Sequence, residues 1–142
     1  MRSLTAAADR FRAAHGLPAT LDAACDAFEQ ILTVIAGYER ATSTGLAITF
    51  LFAATQAANG RDAMLFAPSL PPTARHASAP AGEQREPNAR DIKTPIAALA
   101  ELLARGLGHT ATTAADGADR AACHDAAACA TRIHYLLTRP GP

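Results

Sequence analysis

Residues 38–55 read YERATSTGLAITFLFAAT, and they open a gap of 20 residues between Arg40 and Arg61 that holds no charged side chain. A run this apolar inside a short chain spans a membrane, forms the central helix of a core, or marks a family. Thr42 or Ser43 offers an N-cap and the Asn59-Gly60 pair a stop, so a helix is predicted from about residue 42 to Ala58. Leu46, Ile48, Phe50, Leu51 and Phe52 surround its axis, and a helix apolar on every side is buried in protein or in lipid. Its strongly apolar part is only about ten residues, broken by Thr44, Thr49, Thr55, Gln56 and Asn59, whereas a span needs about 20. The expectation is a buried central helix.

The segments on either side supply elements for it to pack against. Leu21, Cys25, Phe28, Leu32 and Ile35 recur at steps of 4, 3, 4 and 3, an unbroken amphipathic stripe. Asp22, Asp26 and Glu29 precede Arg40, the order that the helix macrodipole favours. Before this helix, Ser3–His15 reads as a short one closed by Gly16, and Pro18 suits the first turn of the next. After the apolar run, Pro68, Pro71, Pro72, Pro80 and Pro87 mark residues 68–91 as a mobile loop with one large apolar residue, Leu70. Thr94 as cap and Pro95 restart helix formation; Ile96, Leu99, Leu102 and Leu103 form its face, and Gly106 and Gly108 end it. Following a polar connection from His109 to Gly117, a last helix reaches about Thr138. Its seam runs through Ala122, Ala126, Cys129, Ile133 and Leu136.

Composition agrees with this helical reading. Alanine accounts for 37 of 142 residues, and it is the best helix former and a poor strand former. One all-α domain over residues 1–142 is predicted, a compact bundle of about five helices that buries roughly 68% of its unfolded surface. Thirteen basic and thirteen acidic residues cancel, so any case for nucleic acid rests on local clusters. Twelve of the thirteen cations are Arg, the residue suited to bidentate phosphate contacts. The N-terminal residues MRSLTAAADRFRAAHG contain no apolar h-region, and three cysteines form no disulfide framework, so reduced thiols in a cytoplasmic protein are expected.

Catalytic patterns are sparse. Cys123, His124, Asp125, Cys129 and His134 invite a metal reading, but helical ligands must lie three or four residues apart to share a face. Cys123 and Cys129 are six apart, and Cys129 and His134 are five. There is no Gly-rich phosphate loop, GxSxG or HExxH. Cys25 lies in an apolar stripe, and Glu39, Arg40 and Glu101 read as solvated charges. No enzyme, metal or cofactor is expected.

Gly45-Leu46-x-x-Thr49-Phe50-x-Phe52 resembles the helix opening of a known family, the small all-helical subunit of the type III-B CRISPR effector, or Cmr complex. In that family a Gly-Leu pair and a Thr, apolar, Phe pattern follow an amphipathic helix, as they follow Tyr38-Glu39-Arg40 here. The resemblance covers residues 19–60 and 92–139 in layout and Gly45–Phe52 in letters. It implies a non-catalytic antiviral-defence protein that stacks with copies of itself beside other effector subunits. There it would line the guide RNA–target RNA duplex through phosphate and sugar contacts. Arg40 and Arg61 near the ends of the apolar helix, Arg132 and Arg139 flanking the last helix, and Arg120 on its opposite side are the candidate RNA contacts. The alternative is a free-standing module that dimerises through the alanine-rich face of the last helix and binds no RNA.

Overall fold

The computed structural model describes residues 2–41, 47–72 and 92–139. They form α1 (Arg2–Ala13), α2 (Leu17–Ala41), α3 (Ala47–Leu65), α4 (Lys93–Thr113) and α5 (Gly117–Thr138), with no strand among the described residues. This is the all-α bundle that the alanine content and the periodicity predict. The proposed caps Thr42 and Ser43, the motif residues Gly45 and Leu46, and residues 73–91 of the expected loop lie outside the described residues.

α1 and α2 join through Gly16, whose φ of 85° lies in the left-handed region that a side chain disfavours. Arg10 ties them together, reaching Asp22 at 2.8 Å and Asp26 at 3.3 Å. The α2 stripe is the inner wall of the bundle: Leu21, Phe28 and Ile35 are fully buried and Leu32 partly so. α3 runs antiparallel to α2. The Tyr38 and Phe50 rings meet at 4.9 Å near one end, and Phe28 lies against Gly60 nearer the other. α5 is antiparallel to α3, because Asp119 in its first turn accepts hydrogen bonds from Ser69, just beyond the end of α3. α4 and α5 form a hairpin through residues 114–116. No helix among the described residues is long and apolar enough to cross a membrane.

Several boundaries differ from the sequence expectation, and two share one cause. α3 continues through Asn59-Gly60 to Leu65, and α4 continues through Gly106 and Gly108 to Thr113. A Cβ on Gly60 would stand 2.5 Å from the Phe28 ring, and one on Gly106 would stand 2.4 Å from the Phe11 ring. These two glycines make room for aromatic rings inside helices, which outweighs the roughly 1 kcal/mol that glycine costs there. The expected polar connection after Gly108 is helical as far as Thr113. There the Thr110, Thr112 and Thr113 hydroxyls donate to the carbonyls of Gly106, His109 and Thr110. At the other end of α4 the cap position belongs to Ile92, which makes no side-chain cap bond, and Thr94 lies inside the first turn.

The apolar run is not buried on every side. Phe50 is 1% exposed, but Phe52 is 54%, Leu51 56% and Ile48 64% exposed, because α2 and α5 cover only one side of α3. The first part of the expected mobile loop is also ordered. Leu70 is buried, its N–H donates to the Ala67 carbonyl, and Ser69 binds Asp119 through both backbone and side chain.

Candidate nucleic-acid interface

The α5 helix starts from a strong cap. The Asp116 carboxylate accepts from the N–H groups of Ala118 at 2.8 Å and Asp119 at 3.0 Å, satisfying two orphan donors. Asp119, one turn in, is 1% exposed and completely used: Oδ1 accepts the Ser69 N–H at 3.0 Å and Oδ2 the Ser69 hydroxyl at 2.6 Å. From this anchored end the small residues Ala122, Ala126 and Ala130 let α3 and α4 approach closely, and Ile133 and Leu137 fill the space beyond. The alanine-rich face is thus covered within the chain. A dimer through that face, the alternative drawn from the sequence, has no free surface to use.

With that seam turned inward, the opposite side of α5 carries Arg132, Tyr135 and Arg139 into solvent. Tyr135 is 60% exposed, and the Arg139 guanidinium carbon sits 5.5 Å from its ring centroid, a cation–π contact. Arg139 is also the C-cap residue, its N–H bound to the Tyr135 carbonyl at 3.0 Å, where the helix dipole favours a cation. Arg132 and Arg139 are seven residues apart, about 10 Å along the axis.

The Arg residues proposed from the sequence fall into distinct groups. Arg61 is held at 3.3 Å from Glu29 and 3.2 Å from Asp62, which ties α3 to α2. Burial works against its charge, but hydrogen bonds and attraction from Asp62 and Glu29 outweigh that and raise its pKa. Arg120 donates to the carbonyls of Ala114 and Ala115, both at 3.1 Å, and so finishes the end of α4. Arg40 belongs to the last turn of α2, and its side chain is outside what is described. Elsewhere Arg10, Arg12 and Arg105 pair with carboxylates. Among the described residues Arg132 and Arg139 have no carboxylate partner. Of the core-motif residues, Thr49 is half-buried and Phe52 is exposed.

Tyr135 joins this face although no sequence motif marks it; its place three after Arg132 and four before Arg139 is the legible signal. The thiols offer little chemistry. Burial, with Glu29 and Asp22 nearby, pushes Cys25 up to about 11, and burial beside Asp119 pushes Cys123 up to about 11. Burial also raises Cys129. All three are poor thiolate nucleophiles near neutrality. Among the described residues no group of three His, Cys, Asp or Glu side chains is placed to hold a metal ion. A cleft of about 310 Å³ where the α1–α2 turn meets the end of α4 is lined by Gly, Leu, Ala and Thr. Two of its threonines, Thr110 and Thr113, already donate to their own helix.

The molecule is therefore an all-α bundle with one helix face bearing an aromatic ring between two guanidiniums. Comparison with known proteins finds no matching family model, curated protein or solved structure.

Proposed function

We propose that this chain is a non-catalytic structural subunit of an RNA-guided effector ribonucleoprotein, as its resemblance to the small Cmr subunit implies. The outer face of α5 then meets the sugar–phosphate backbone of the guide–target RNA duplex. One observation carries the reading: Arg132 and Arg139 share an exposed face and have no carboxylate partner among the described residues, whereas Arg61 and Arg120 are engaged within the fold. Two guanidiniums neutralise few phosphates, so a single copy binds weakly, and repetition along an assembly multiplies the effect. Phosphate contacts carry no sequence information, so binding is indifferent to base sequence. Arg61, the cation of α3, is held by Glu29 and Asp62, which leaves α3 no free guanidinium for this contact.

The test is a titration of the purified chain into fluorescently labelled RNA duplexes of unrelated sequence at low salt. Comparable affinities for all of them, lost as salt rises, are expected. No binding at any salt, together with failure to enter a guide-RNA complex, would leave a protein-interaction module as the reading.

A further inference from the structure

We infer that the outer face of α3 is the docking surface for a second copy of this chain, antiparallel to the first about a two-fold axis at Asn59. The inference uses α3 and the turn after it, and it stands or falls separately from the contact proposed for α5. Ile48, Leu51 and Phe52 are more than half exposed at one end of α3, and Phe66 is 81% exposed at the other. Phe66 follows the last helical residue, and its N–H donates to the Ala63 carbonyl at 3.1 Å, so the chain is still turning as in a helix there. Steps of 3 and 4 link Ile48, Phe52, Thr55, Asn59, Asp62 and Phe66 in one stripe along the helix.

The arrangement of that stripe says what covers it. Phe52 and Phe66 each lie seven residues from Asn59, about 10 Å on either side along the axis. An isologous contact brings residue i against j and j against i, so an antiparallel pair centred on Asn59 sets Phe52 of each copy against Phe66 of the other. Asn59 then faces its own equivalent, and a side-chain amide carries both donor and acceptor, so two of them can bond reciprocally. Thr55 adds no polar demand, because its hydroxyl already donates to the Leu51 carbonyl at 3.0 Å. The one charge in the stripe, Asp62, is paired at 3.2 Å with Arg61, which it shares with Glu29.

Area and charge favour the same occupant. The four exposed apolar side chains present roughly 500 Å² if each offers about 200 Å² when fully open. A stable dimer needs about 800 Å² per partner, and the exposed Thr55, Asn59 and Asp62 of the same stripe add a polar rim to the apolar patch. The stretch from Ile48 to Phe66 carries Arg61 and its partner Asp62 and no other charge, and two copies of a chain with net charge zero do not repel each other.

Sedimentation equilibrium from about 1 to 200 µM, with circular dichroism on every variant, tests the inference. Wild type should sediment as a reversible dimer. Phe52→Asp and Phe66→Asp should each weaken dimerisation at least about tenfold with helicity and melting temperature retained. Asn59→Cys should be joined to itself in high yield by a short bis-maleimide, since Cys25, Cys123 and Cys129 are all at most 6% exposed and label slowly. A wild type monomeric at 200 µM overturns the proposal. So does a dimer that persists in both aspartate variants, or an Asn59→Cys dimer that resists coupling. RNA affinity measured on the Phe52→Asp monomer reports on α5 separately.

Discussion

α3 and α5 lie antiparallel against each other, yet they divide polarity in opposite ways. α5 is rich in small residues, and Ala122, Ala126, Ala130, Ile133 and Leu137 are buried against α3 and α4, with Leu136 partly so, leaving Arg132, Tyr135 and Arg139 outside. α3 carries apolar residues on every side over Ile48–Phe52, and only the side bearing Phe50, Ala53, Ala57 and Met64 is covered. The uncovered side keeps Ile48, Leu51 and Phe52 in contact with water. Apolar character thus follows burial on α5, and on α3 it exceeds what the chain alone can bury. An excess of that kind marks a surface used by another molecule more often than a flaw in the fold.

The largest effect that would break this comparison is on stability. Phe50→Ala removes a ring that is 1% exposed and packs against Tyr38, so it should cost about 3–5 kcal/mol. Phe52→Ala, two residues on, should cost below about 1 kcal/mol in the monomer, because its ring is 54% exposed. Urea denaturation of both variants checks the contrast, and equal losses would mean that α3 is covered on both sides.

Alkaline pH probes the buried sides of α2 and α5 through their thiols. Cys25 and Cys123 hold their protons up to about 11 when folded, against 9.0 for an open thiol. Above pH 9 the unfolded chain loses these protons before the native one does. This stabilisation is therefore complete below pH 9, declines as pH rises, and is gone above about 11, to the extent of about 2–3 kcal/mol per thiol. Denaturation midpoints between pH 8 and 11 should fall, and fall less steeply in Cys123→Ala. An unaltered slope in that variant would show the thiol to be solvated.

A smaller effect tests how the two helices are aligned. Asp119→Ala leaves the Ser69 N–H and hydroxyl without their acceptor and should cost about 2 kcal/mol. Hydrogen exchange should rise first over residues 66–70. Unchanged protection there would mean that the Ser69–Asp119 contact does not fix the turn after α3.

These differences also show where sequence reading succeeds. The α2 stripe was legible because its steps of 4, 3, 4 and 3 leave one apolar side, and Leu21, Phe28 and Ile35 are buried as the steps require. α3 has no such direction to read. With apolar residues on all sides, only the number of neighbouring helices decides which side is covered. Gly60 and Gly106 look like stops in the sequence because glycine both ends helices and admits aromatic rings, and the rings of Phe28 and Phe11 are far away in sequence. Ser69 and Asp119 are separated by 50 residues, with no local sign of their bond. The Arg132–Arg139 spacing could be read locally, since one helix sets it. The engagement of Arg61 could not, because its partner Glu29 lies 32 residues earlier.

The central claim is that the outer face of α5 contacts RNA phosphates while α3 does not, and the salt dependence of RNA affinity tests it most directly. Wild type, the double variant Arg132→Glu/Arg139→Glu, and Phe52→Asp as a control are each titrated with labelled RNA duplex from about 20 to 200 mM salt. Each phosphate contact contributes about 0.7–0.9 to the slope of log affinity against log salt. Losing two contacts should flatten the slope by about 1.4–1.8 and weaken binding alike for every RNA sequence. Phe52→Asp should retain the slope of a wild-type single copy. Identical slopes and affinities for wild type and the double Glu variant would contradict the account and remove α5 as an RNA-binding surface.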